Sequence, residues 1–255
     1  MDVLVIGGTG LMGPTLVQKL VENKHRVTCL NRRGISTLAP AIKCDRRDPE
    51  ALRAVFQRTH YDAVIDMIPV NEDDANTLTT CLENTPDTQV IAISSMTVYL
   101  AYARIHRVEL GPYQNCPIKE TDALCNEKVL PNHHDKPAVE AAYLKAYEHL
   151  SILRLPAIYG WPDVSRIKPY VEAVFQGDGS CRLHPTYAAW THSRASVADC
   201  VQAIVLTLGL RGQHIFNVGE QTVFTEAAWC ALVWKAAGKQ GALIEDPDIP
   251  VPFNA

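Results

Sequence analysis

The chain has 255 residues, of which 47% are hydrophobic, and a formal net charge of −4 at pH 7, so its length and apolar content suffice for a full core. It has no block of basic residues, and its composition therefore gives no reason to propose nucleic acid or a membrane surface as a partner. No apolar run approaches the roughly 20 residues of a bilayer span, and the chain begins with a core strand rather than a signal peptide, so we expect a cytoplasmic protein.

The first predicted element is a buried strand that runs into a glycine-rich loop. Residues 3–6 read Val-Leu-Val-Ile and are apolar on both faces, as in a central parallel strand covered by helices on each side. The loop at residues 7–13 reads Gly-Gly-Thr-Gly-Leu-Met-Gly, and a helical apolar pattern begins at Pro14. A Gly-x-Gly-x-x-Gly motif between a strand and a helix predicts a dinucleotide site, and a glycine turn without a ligand is the alternative.

The glycines of this loop have separate predicted roles. Gly7 or Gly8 permits a tight turn, Gly10 lets backbone amides approach a pyrophosphate, and Gly13 lets the next helix pack against the strand. The pyrophosphate is expected at the positive end of that helix. The predicted cofactor-binding residues of the loop are Gly7, Thr9, Gly10, Leu11, Met12 and Gly13.

The end of the second predicted strand, residues 26–30, favours NADP over NAD. In an NAD site, an acidic residue about 20 residues beyond the loop binds the ribose 2′-hydroxyl. Here the strand ends in Asn31, Arg32 and Arg33, and two guanidinium groups can bind a 2′-phosphate. We predict that these three residues bind NADP(H), with a solvated turn at Arg32 and Arg33 as the alternative.

Strands and helices alternate regularly after this point. The patterns predict strands at residues 42–44, 61–68 and 89–93 and helices at residues 48–59 and 71–83. This alternation predicts right-handed crossovers and an α/β fold with a doubly wound parallel sheet of the Rossmann type. Ligands of such sheets bind beyond the carboxyl ends of the strands.

The residues that follow the third and fourth strands are expected to line the cofactor groove. Asp45 follows the third strand, and Met67, Ile68 and Pro69 close the fourth. We predict all four as cofactor-binding residues. Two roles stay open for Asp45, which are contact with the adenine amino group and capping of the turn at residues 45–48.

Short motifs recur in order along nearly the whole chain. They are the glycine loop and residues 93–99, 117–120, 153–160, 197–199 and 216–219. In this order they resemble the NAD-dependent epimerase/dehydratase branch of the short-chain dehydrogenase/reductase superfamily. Residues 64–67 read Val-Ile-Asp-Met, which resembles an atypical group within that branch.

The resemblance implies a catalytic Ser or Thr, a Tyr and a Lys, the last two spaced Tyr-x-x-x-Lys. In such sites the tyrosine exchanges a proton with the substrate, and the lysine binds the nicotinamide ribose and lowers the tyrosine pKa. Ser95 matches the serine, and Lys136, at the start of an Ala-rich helix, matches the lysine. The tyrosine is missing, because Asn132 stands four residues before Lys136 and an amide has no proton to exchange near neutral pH.

One histidine and three tyrosines are candidates to replace that tyrosine. His134 is the nearest titratable group, and an imidazole can act as an acid or a base near neutral pH. Tyr99, Tyr102 and Tyr113, in or after the loop that leaves the fifth strand, could also supply a phenol. The predicted catalytic residues are Ser95, Lys136, His134 and Tyr99. The alternatives are a loop cap for Ser95, a surface position for Lys136 and a solvated loop for His134.

The resemblance also assigns residues around the nicotinamide and the substrate. Ser94, Pro156 and Ile158 are predicted to bind the cofactor. Thr97 and Arg194 are predicted to face the substrate, and an arginine there suits a carboxylate or phosphate group. The alternatives are a polar strand end for Ser94 and Thr97 and an exposed arginine at position 194.

The C-terminal part of the sequence continues the same patterns. Helices are predicted at residues 167–175, 196–208 and 225–237 and a strand at residues 213–218. We divide the chain into an NADP-binding Rossmann core, residues 1–160, and a smaller substrate-binding region, residues 161–255, interleaved with the same fold. The resemblance implies further sequence after Ala255, so we expect an open, small or partner-completed substrate pocket, or a shortened chain.

The eight cysteines are scattered singly, without Cys-x-x-Cys spacing. Several lie within strand or helix patterns, so we predict reduced, packed thiols. A zinc site would have to combine Cys116 and Cys125 with His133 and His134, and their spacing matches no familiar zinc pattern. We therefore predict no metal.

These patterns together predict an NADP(H)-dependent oxidoreductase or epimerase-like enzyme that acts on a small organic molecule without the usual tyrosine. NADP(H) is favoured over NAD(H). Two alternatives stay open: an NADP-binding isomerase or cyclase without net redox chemistry, and a non-catalytic regulator that senses the dinucleotide. The expected partners are a small-molecule substrate and, in a homodimer, a second copy of the chain, with no nucleic acid and no membrane.

Overall fold

A computed structural model describes residues 1–126, 135–162, 166–175 and 177–249 of the chain. The first elements are β1 (Asp2–Ile6), α1 (Gly13–Glu22), β2 (Arg26–Asn31), β3 (Ala41–Lys43), α2 (Pro49–Arg58), β4 (Ala63–Asp66), α3 (Glu72–Cys81), β5 (Gln89–Ser95), a short 3-10 helix (Met96–Val98) and α4 (Leu100–Ile105). The later elements are α5 (Lys136–Ala146), β6 (Leu150–Leu155), β7 (Ala157–Tyr159), α6 (Lys168–Phe175), β8 (Ser180–Leu183), α7 (Pro185–Ala189), β9 (Thr191–His192), β10 (Arg194–Ser196), α8 (Val197–Leu206), β11 (Gln213–Asn217), β12 (Phe224–Thr225), α9 (Glu226–Ala236) and β13 (Ala242–Glu245).

The central sheet has seven strands in the order β11-β6-β5-β4-β1-β2-β3, and all of its pairings are parallel. The chain winds from β1 through β2 and β3 in one direction and through β4, β5, β6 and β11 in the other. The prediction of a doubly wound Rossmann sheet is confirmed. The direction of winding reverses between β1 and β4, which is where such a sheet offers a ligand-binding crevice at the carboxyl ends of its strands.

The side chains of β1 alternate between two hydrophobic cores, one on each face of the sheet. Leu4 and Ile6 pack with residues of α2, α3 and α5, whereas Val3 and Val5 pack with residues of α1 and α8. This alternation follows from the two-residue period of a strand. Burial on both sides therefore explains why β1 is apolar at successive positions.

Several of the described helices, α2, α3 and α5 among them, begin at side chains that cap their first backbone amides. Asp48 caps α2, Asn71 caps α3 and Asp135 caps α5. Caps of this kind satisfy N–H groups that have no partner within the helix. The predicted starts of α2 and α3 lie close to the observed ones because these capping residues mark them.

The C-terminal part contains short strands that the sequence patterns do not predict. β7 pairs with β10 and β8 with β13 in parallel, and β9 pairs with β12 in the antiparallel direction. Strands this short carry no recognisable period. A third hydrophobic core, which includes Tyr99, Tyr102 and Trp190, connects this part to the end of β5. Strand β11 comes from the predicted substrate-binding region and extends the sheet that residues 1–160 form.

All eight cysteines are free thiols, and all but Cys181 are buried. Cys116 and Cys125 lie in the described part of the chain, whereas His133 and His134 lie outside it. Across the described ranges, no three His, Cys, Asp or Glu side chains are grouped so as to hold a metal ion. The helices of these same ranges are all too short or too polar to cross a membrane.

Candidate active site

The glycine loop between β1 and α1 contains close contacts that only glycine permits. Gly7 has a φ of +86°, a left-handed conformation, and a Cβ atom there would lie 2.9 Å from side-chain carbons of Ile68. A Cβ atom at Gly13 would lie 2.3 Å from the carbonyl carbon of Gly8, so the start of α1 packs directly on the loop. A Cβ atom at Gly10 would meet no atom within 4 Å, and this side of the loop is therefore open.

A cavity of about 720 Å³ lies beside this loop. Helix α1 begins here, and Met12 at its N-cap provides no side-chain hydrogen bond to the helix amides. Amides at a helix start together with a glycine loop favour an anionic ligand. The residues predicted to bind the cofactor that line this cavity are Gly7, Thr9, Gly10, Asn31, Arg32, Arg33, Asp45 and Ile68.

Three further residues predicted to bind the cofactor, Leu11, Met12 and Met67, have side chains in the core. They pack with the cluster on the α1 and α8 face of the sheet. Apolar side chains gain free energy by leaving water, which accounts for their position. Met12 is buried, so its contact with a cofactor would come from its backbone, whereas Leu11 and Met67 are partly exposed and their contact stays a prediction.

The turn after β2 is shaped by Asn31 and exposes two arginines. The Asn31 amide nitrogen donates to the Ile35 carbonyl oxygen at 3.0 Å, and its Oδ1 accepts from the Arg33 backbone amide at 3.1 Å. The Asn31 side chain is thus used within the turn. Arg32 and Arg33 are exposed and line the cavity, so their guanidinium groups are accessible to a phosphate.

Of the two roles considered for Asp45, the structure contains the turn contact. Its Oδ1 accepts a hydrogen bond from the Arg47 backbone amide at 3.1 Å, and its carbonyl oxygen accepts one from the Asp48 amide at 3.0 Å. The carboxylate is also exposed and lines the cavity. Contact between Asp45 and adenine stays a prediction.

A buried charged cluster, which the sequence analysis misses, lies at the end of β4. Asp66 is fully buried and accepts hydrogen bonds from Arg46 and from the Tyr143 hydroxyl. Arg46 also donates to the Asp74 carbonyl oxygen at 2.7 Å. Burying a carboxylate costs free energy unless partners bond it. An aspartate at the end of an apolar strand is therefore the sequence signal that could have indicated this cluster.

Lys136 lies at the start of α5 with its ammonium group between two strand ends. Its Nζ donates to the carbonyl oxygens of Pro69, just after β4, at 2.6 Å and of Ile93, in β5, at 2.9 Å. The residue is only 8% exposed, so the alternative of a surface lysine is wrong. Burial lowers the pKa of Lys136 to about 8, although the charge of Asp66 raises it. Lys136 is thus a buried cation at the carboxyl edge of the sheet.

Ser95 and Thr97 form a pair of hydroxyl groups where β5 ends. Ser95 Oγ accepts a hydrogen bond from the Thr97 amide at 3.2 Å and one from the Thr97 hydroxyl at 3.0 Å. Ser95 therefore caps the short 3-10 helix, as its alternative role predicted. Both residues are partly exposed, so the pair is also accessible to a ligand.

Ser94, predicted to bind the cofactor, is part of the protein interior instead. It is 4% exposed, and its hydroxyl donates to the carboxylate of Glu140. Glu140 also pairs with Arg154 through a 2.7 Å contact between buried groups. The Ser94 hydroxyl is thus used within the protein, because the buried Glu140 carboxylate requires hydrogen-bond donors, and contact of the Ser94 backbone with a cofactor stays a prediction.

Tyr99 does not offer an accessible phenol. The residue is fully buried, and its hydroxyl accepts from Arg154 Nη1 and donates to Asn217 Oδ1, both at 2.8 Å. Burial raises the pKa of Tyr99, although the hydrogen bond from Arg154 lowers it. The prediction of Tyr99 as an acid–base catalyst is corrected, because a phenol fixed between two side chains inside the core cannot reach a substrate.

Arg194 is likewise buried rather than facing a substrate. Its guanidinium group donates to the carboxylate of Glu226 and lies 4.8 Å from the centre of the Trp229 ring. Glu226 is also within 2.5 Å of the His192 ring nitrogen. Arg194 is 5% exposed, so the prediction of a substrate contact is corrected. The buried carboxylate of Glu226 requires this cation.

The other predicted residues have weaker structural support. Pro156 and Ile158 are partly buried around the step from β6 to β7, and neither lines the cavity described above. His134 and Asn132 lie outside the described residues. The roles of these residues therefore stay predictions.

Tyr99→Phe is expected to lower the free energy of unfolding by about 1–2 kcal/mol, because Arg154 and Asn217 both lose a buried hydrogen-bond partner. Binding of a dinucleotide is expected to be unchanged. Urea denaturation and a cofactor titration measure the two effects. Unchanged stability together with loss of turnover would restore Tyr99 as a catalytic residue.

Comparison with known proteins identifies relatives of this chain. Residues 3–113 match the family described as the NAD dependent epimerase/dehydratase family. A curated relative, the 2′-dehydrokanamycin reductase of Streptomyces kanamyceticus, is 29% identical over 166 residues, which are 62% of this chain and 43% of that protein. The match therefore spans less than half of that relative's length.

Many solved structures share the fold, two epimerases among them. The UDP-glucose 4-epimerase of Thermotoga maritima with UDP-glucose has a TM-score of 0.76 and 16% identity, over 100% of this chain and 88% of that chain. The UDP-glucose 4-epimerase of Thermus thermophilus in complex with NAD has a TM-score of 0.70 and 18% identity, over 100% and 90%. Identities this low show the fold alone. The family match over residues 3–113 confirms the predicted resemblance for that part of the chain, and the curated relative is an enzyme.

Proposed function

Since residues 3–113 match the NAD dependent epimerase/dehydratase family, we propose that this protein is an NADP(H)-dependent enzyme that reduces or transiently oxidises a small, sugar-like molecule. The observation that carries the proposal is the cavity of about 720 Å³ lined by the glycine loop and by Arg32 and Arg33. Residues 1–160 supply the cofactor side and residues 161–255 the substrate side.

The residues around the cavity fit a dinucleotide with a 2′-phosphate. The open space at Gly10 leaves room for a diphosphate, which the amides at the start of α1 can bind. Arg32 and Arg33 supply two accessible cations where an NAD site has a carboxylate. These features support NADP(H) over NAD(H).

Three side chains at the carboxyl edge of the sheet supply groups for the reaction. When bound, NADP(H) supplies or accepts a hydride. The Ser95 and Thr97 hydroxyl groups hold the substrate oxygen in this proposal. Lys136 binds the nicotinamide ribose, and its positive charge favours negative charge that develops on the substrate oxygen.

His134 is the proposed proton donor and acceptor. The position that usually holds a tyrosine is Asn132, and the Tyr99 hydroxyl is buried. His134 stands two residues before Lys136 in the sequence, and its imidazole can exchange a proton near neutral pH. This assignment rests on spacing and residue type.

The relatives support a substrate with a sugar ring. One is described as a reductase and two as epimerases of UDP-glucose. A ring carbon that bears a hydroxyl group can be oxidised to a ketone by loss of a hydride and a proton, and the reverse step reduces it. We propose reduction of such a ketone as the reaction, with epimerisation through the same ketone as the second candidate.

The first test is a titration of the purified protein with NADPH and NADH, followed by the fluorescence of the reduced nicotinamide. NADPH is expected to bind more tightly. The absorbance of NADPH is then followed with a panel of sugar ketones, and its loss with at least one of them is expected. Binding without turnover would favour a sensing role, and product formation without net absorbance change an epimerase or isomerase. No binding of either dinucleotide would overturn the proposal.

Replacing both Arg32 and Arg33 by alanine is expected to weaken NADPH binding by roughly 10- to 100-fold, because hydrogen bonds to a charged phosphate contribute about 1.5–3 kcal/mol. NADH binding is expected to change much less. Calorimetric titration of both cofactors measures the ratio. The matched control replaces Arg53 and Arg58, two exposed arginines of α2, by alanine. Equal losses for the two cofactors would contradict selectivity for the phosphate.

Two further predictions accompany this function. The protein is predicted to be cytoplasmic and to form a homodimer.

A further inference from the structure

We propose that Arg47 is a third 2′-phosphate-binding residue of the cofactor groove and that Asp74 holds it in position. The proposal rests on the proposed function, since it assigns a specificity role within the same groove. Arg47 follows β3, in a different loop from Arg32 and Arg33, and its side chain lines the same cavity.

Arg46 and Arg47 are adjacent in the sequence but have different environments. Arg46 is 6% exposed, and its guanidinium group contacts Asp66, the Asp74 carbonyl oxygen and, at 3.6 Å from Nε, the same Asp74 Oδ1 that Arg47 contacts. Arg47 is 62% exposed, and its Nε donates to Asp74 Oδ1 at 3.3 Å. Arg46 is thus part of the core, whereas Arg47 keeps contact with both the protein and the solvent-filled groove.

Asp74 is a rigid anchor for the Arg47 side chain. It is 2% exposed, and its Oδ2 accepts from the Val70 backbone amide at 2.8 Å. Its own backbone amide donates to Asn71 Oδ1 at 3.0 Å, in the first turn of α3. These hydrogen bonds hold both the carboxylate and the backbone of Asp74 in place. A carboxylate held in this way limits the motion of the arginine that it binds.

The donor pattern of arginine suits this arrangement. A guanidinium group has five N–H donors, and the contact with Asp74 involves the one on Nε. The two terminal nitrogens carry the other four, which match the oxygens of a phosphate. Because Asp74 already orders the side chain, Arg47 loses less conformational entropy on binding a phosphate than an unanchored arginine does. Arg47 is therefore expected to contribute at least as much selectivity as either exposed arginine of the β2 turn.

The experiment compares the affinities of adenosine 2′,5′-bisphosphate (2′,5′-ADP) and AMP, two ligands that differ only in the 2′-phosphate, by calorimetric titration. The wild-type protein is expected to prefer 2′,5′-ADP. Arg47→Gln is expected to reduce this preference by about tenfold, the equivalent of about 1.4 kcal/mol, with little change in the affinity for AMP. Arg47→Lys, which keeps the charge but not the fork of donors, is expected to restore part of the preference. Arg53→Gln is the matched control and is expected to behave like wild type.

The anchor is tested with Asp74→Asn, which is expected to reduce the preference for 2′,5′-ADP by a smaller factor than Arg47→Gln. In the double variant, the Asp74 change is expected to add nothing to the loss of preference, because it acts through Arg47. An unchanged preference in Arg47→Gln, or an equal loss of affinity for both ligands, would overturn the inference. If the wild-type protein binds neither ligand, the proposed function fails and the inference with it.

Discussion

Gly10→Val is expected to weaken NADPH binding by roughly 100-fold or more, the equivalent of at least about 2.7 kcal/mol, while the melting temperature stays unchanged. The physical reason is the empty space beside this residue. An added Cβ at Gly10 meets no protein atom within 4 Å, so the protein alone accommodates a side chain there. The same space is where the backbone of a dinucleotide loop approaches the diphosphate. Fluorescence titration with NADPH and a thermal unfolding scan measure the two quantities.

Gly13→Ala is the matched control, because this glycine has the opposite environment. A Cβ atom at Gly13 would lie 2.3 Å from the carbonyl carbon of Gly8, so either the loop or the helix has to move. Overpacking of this kind is expected to cost about 1–3 kcal/mol of stability or more. Gly10→Val thus tests binding of the dinucleotide, whereas Gly13→Ala tests the stability of the packing between the loop and α1.

The outcome that would contradict the loop assignment is retained micromolar affinity for NADPH in Gly10→Val. Loss of affinity together with a large fall in melting temperature would also count against the loop assignment, since the lost affinity would then result from unfolding. Only the combination of a stable protein and lost binding supports a loop that holds a diphosphate.

The cofactor half of the groove is predictable because its parts are adjacent in the sequence. β1, the glycine loop and α1 follow one another directly, so the residue types alone indicate a strand buried on both faces and a loop without side chains. Arg32 and Arg33 are identified in the same way, by the residue types at the end of β2. The cavity beside the loop contains both groups.

The buried charge pairs are not predictable by such local reasoning. Asp66 contacts Arg46 across 20 positions of the chain and Tyr143 across 77. A sequence pattern gives the residue types but not which of them meet. For the same reason the sequence predicts that Tyr99 and Arg194 face a substrate, whereas both side chains bond polar groups in the interior of the protein.

Glu226→Gln is expected to lower the free energy of unfolding by about 3–5 kcal/mol, because it leaves the buried Arg194 without its counter-charge. Glu226 also accepts from the Tyr170 hydroxyl and contacts His192. These partners come from α6, β9 and β10, so the carboxylate joins three elements of the C-terminal part to α9. Urea denaturation followed by tryptophan fluorescence measures the change.

The pKa of the Glu226 carboxylate predicts that the free energy of unfolding depends on pH. Burial by itself raises the pKa of Glu226, but the hydrogen bond with His192 and the charge of Arg194 lower it to about 2, from an ordinary value of 4.5. Because the folded-state pKa is lowered, the stabilisation is complete above pH 4.5 and is lost as the pH falls through about 2. The lowered pKa of Glu226 corresponds to a stabilisation of about 3 kcal/mol. The wild-type protein is expected to lose this part of its stability on acidification, and Glu226→Gln to lack it.

The double variant Glu226→Gln with Arg194→Met separates the ion pair from the other contacts of Glu226. The glutamine side chain that replaces Glu226 keeps hydrogen-bonding groups for Tyr170 and His192, and the double variant no longer contains a buried cation without a partner, so most of the lost stability is expected to return. If Arg194 instead serves a substrate, Arg194→Met alone would reduce turnover without destabilising the protein. A single variant at Arg194 that is as stable as wild type would therefore contradict the role of the pair in the fold. The expected result is that each single variant is less stable than wild type and that the double variant regains stability. This result would show that the guanidinium and carboxylate groups stabilise the protein only as a pair.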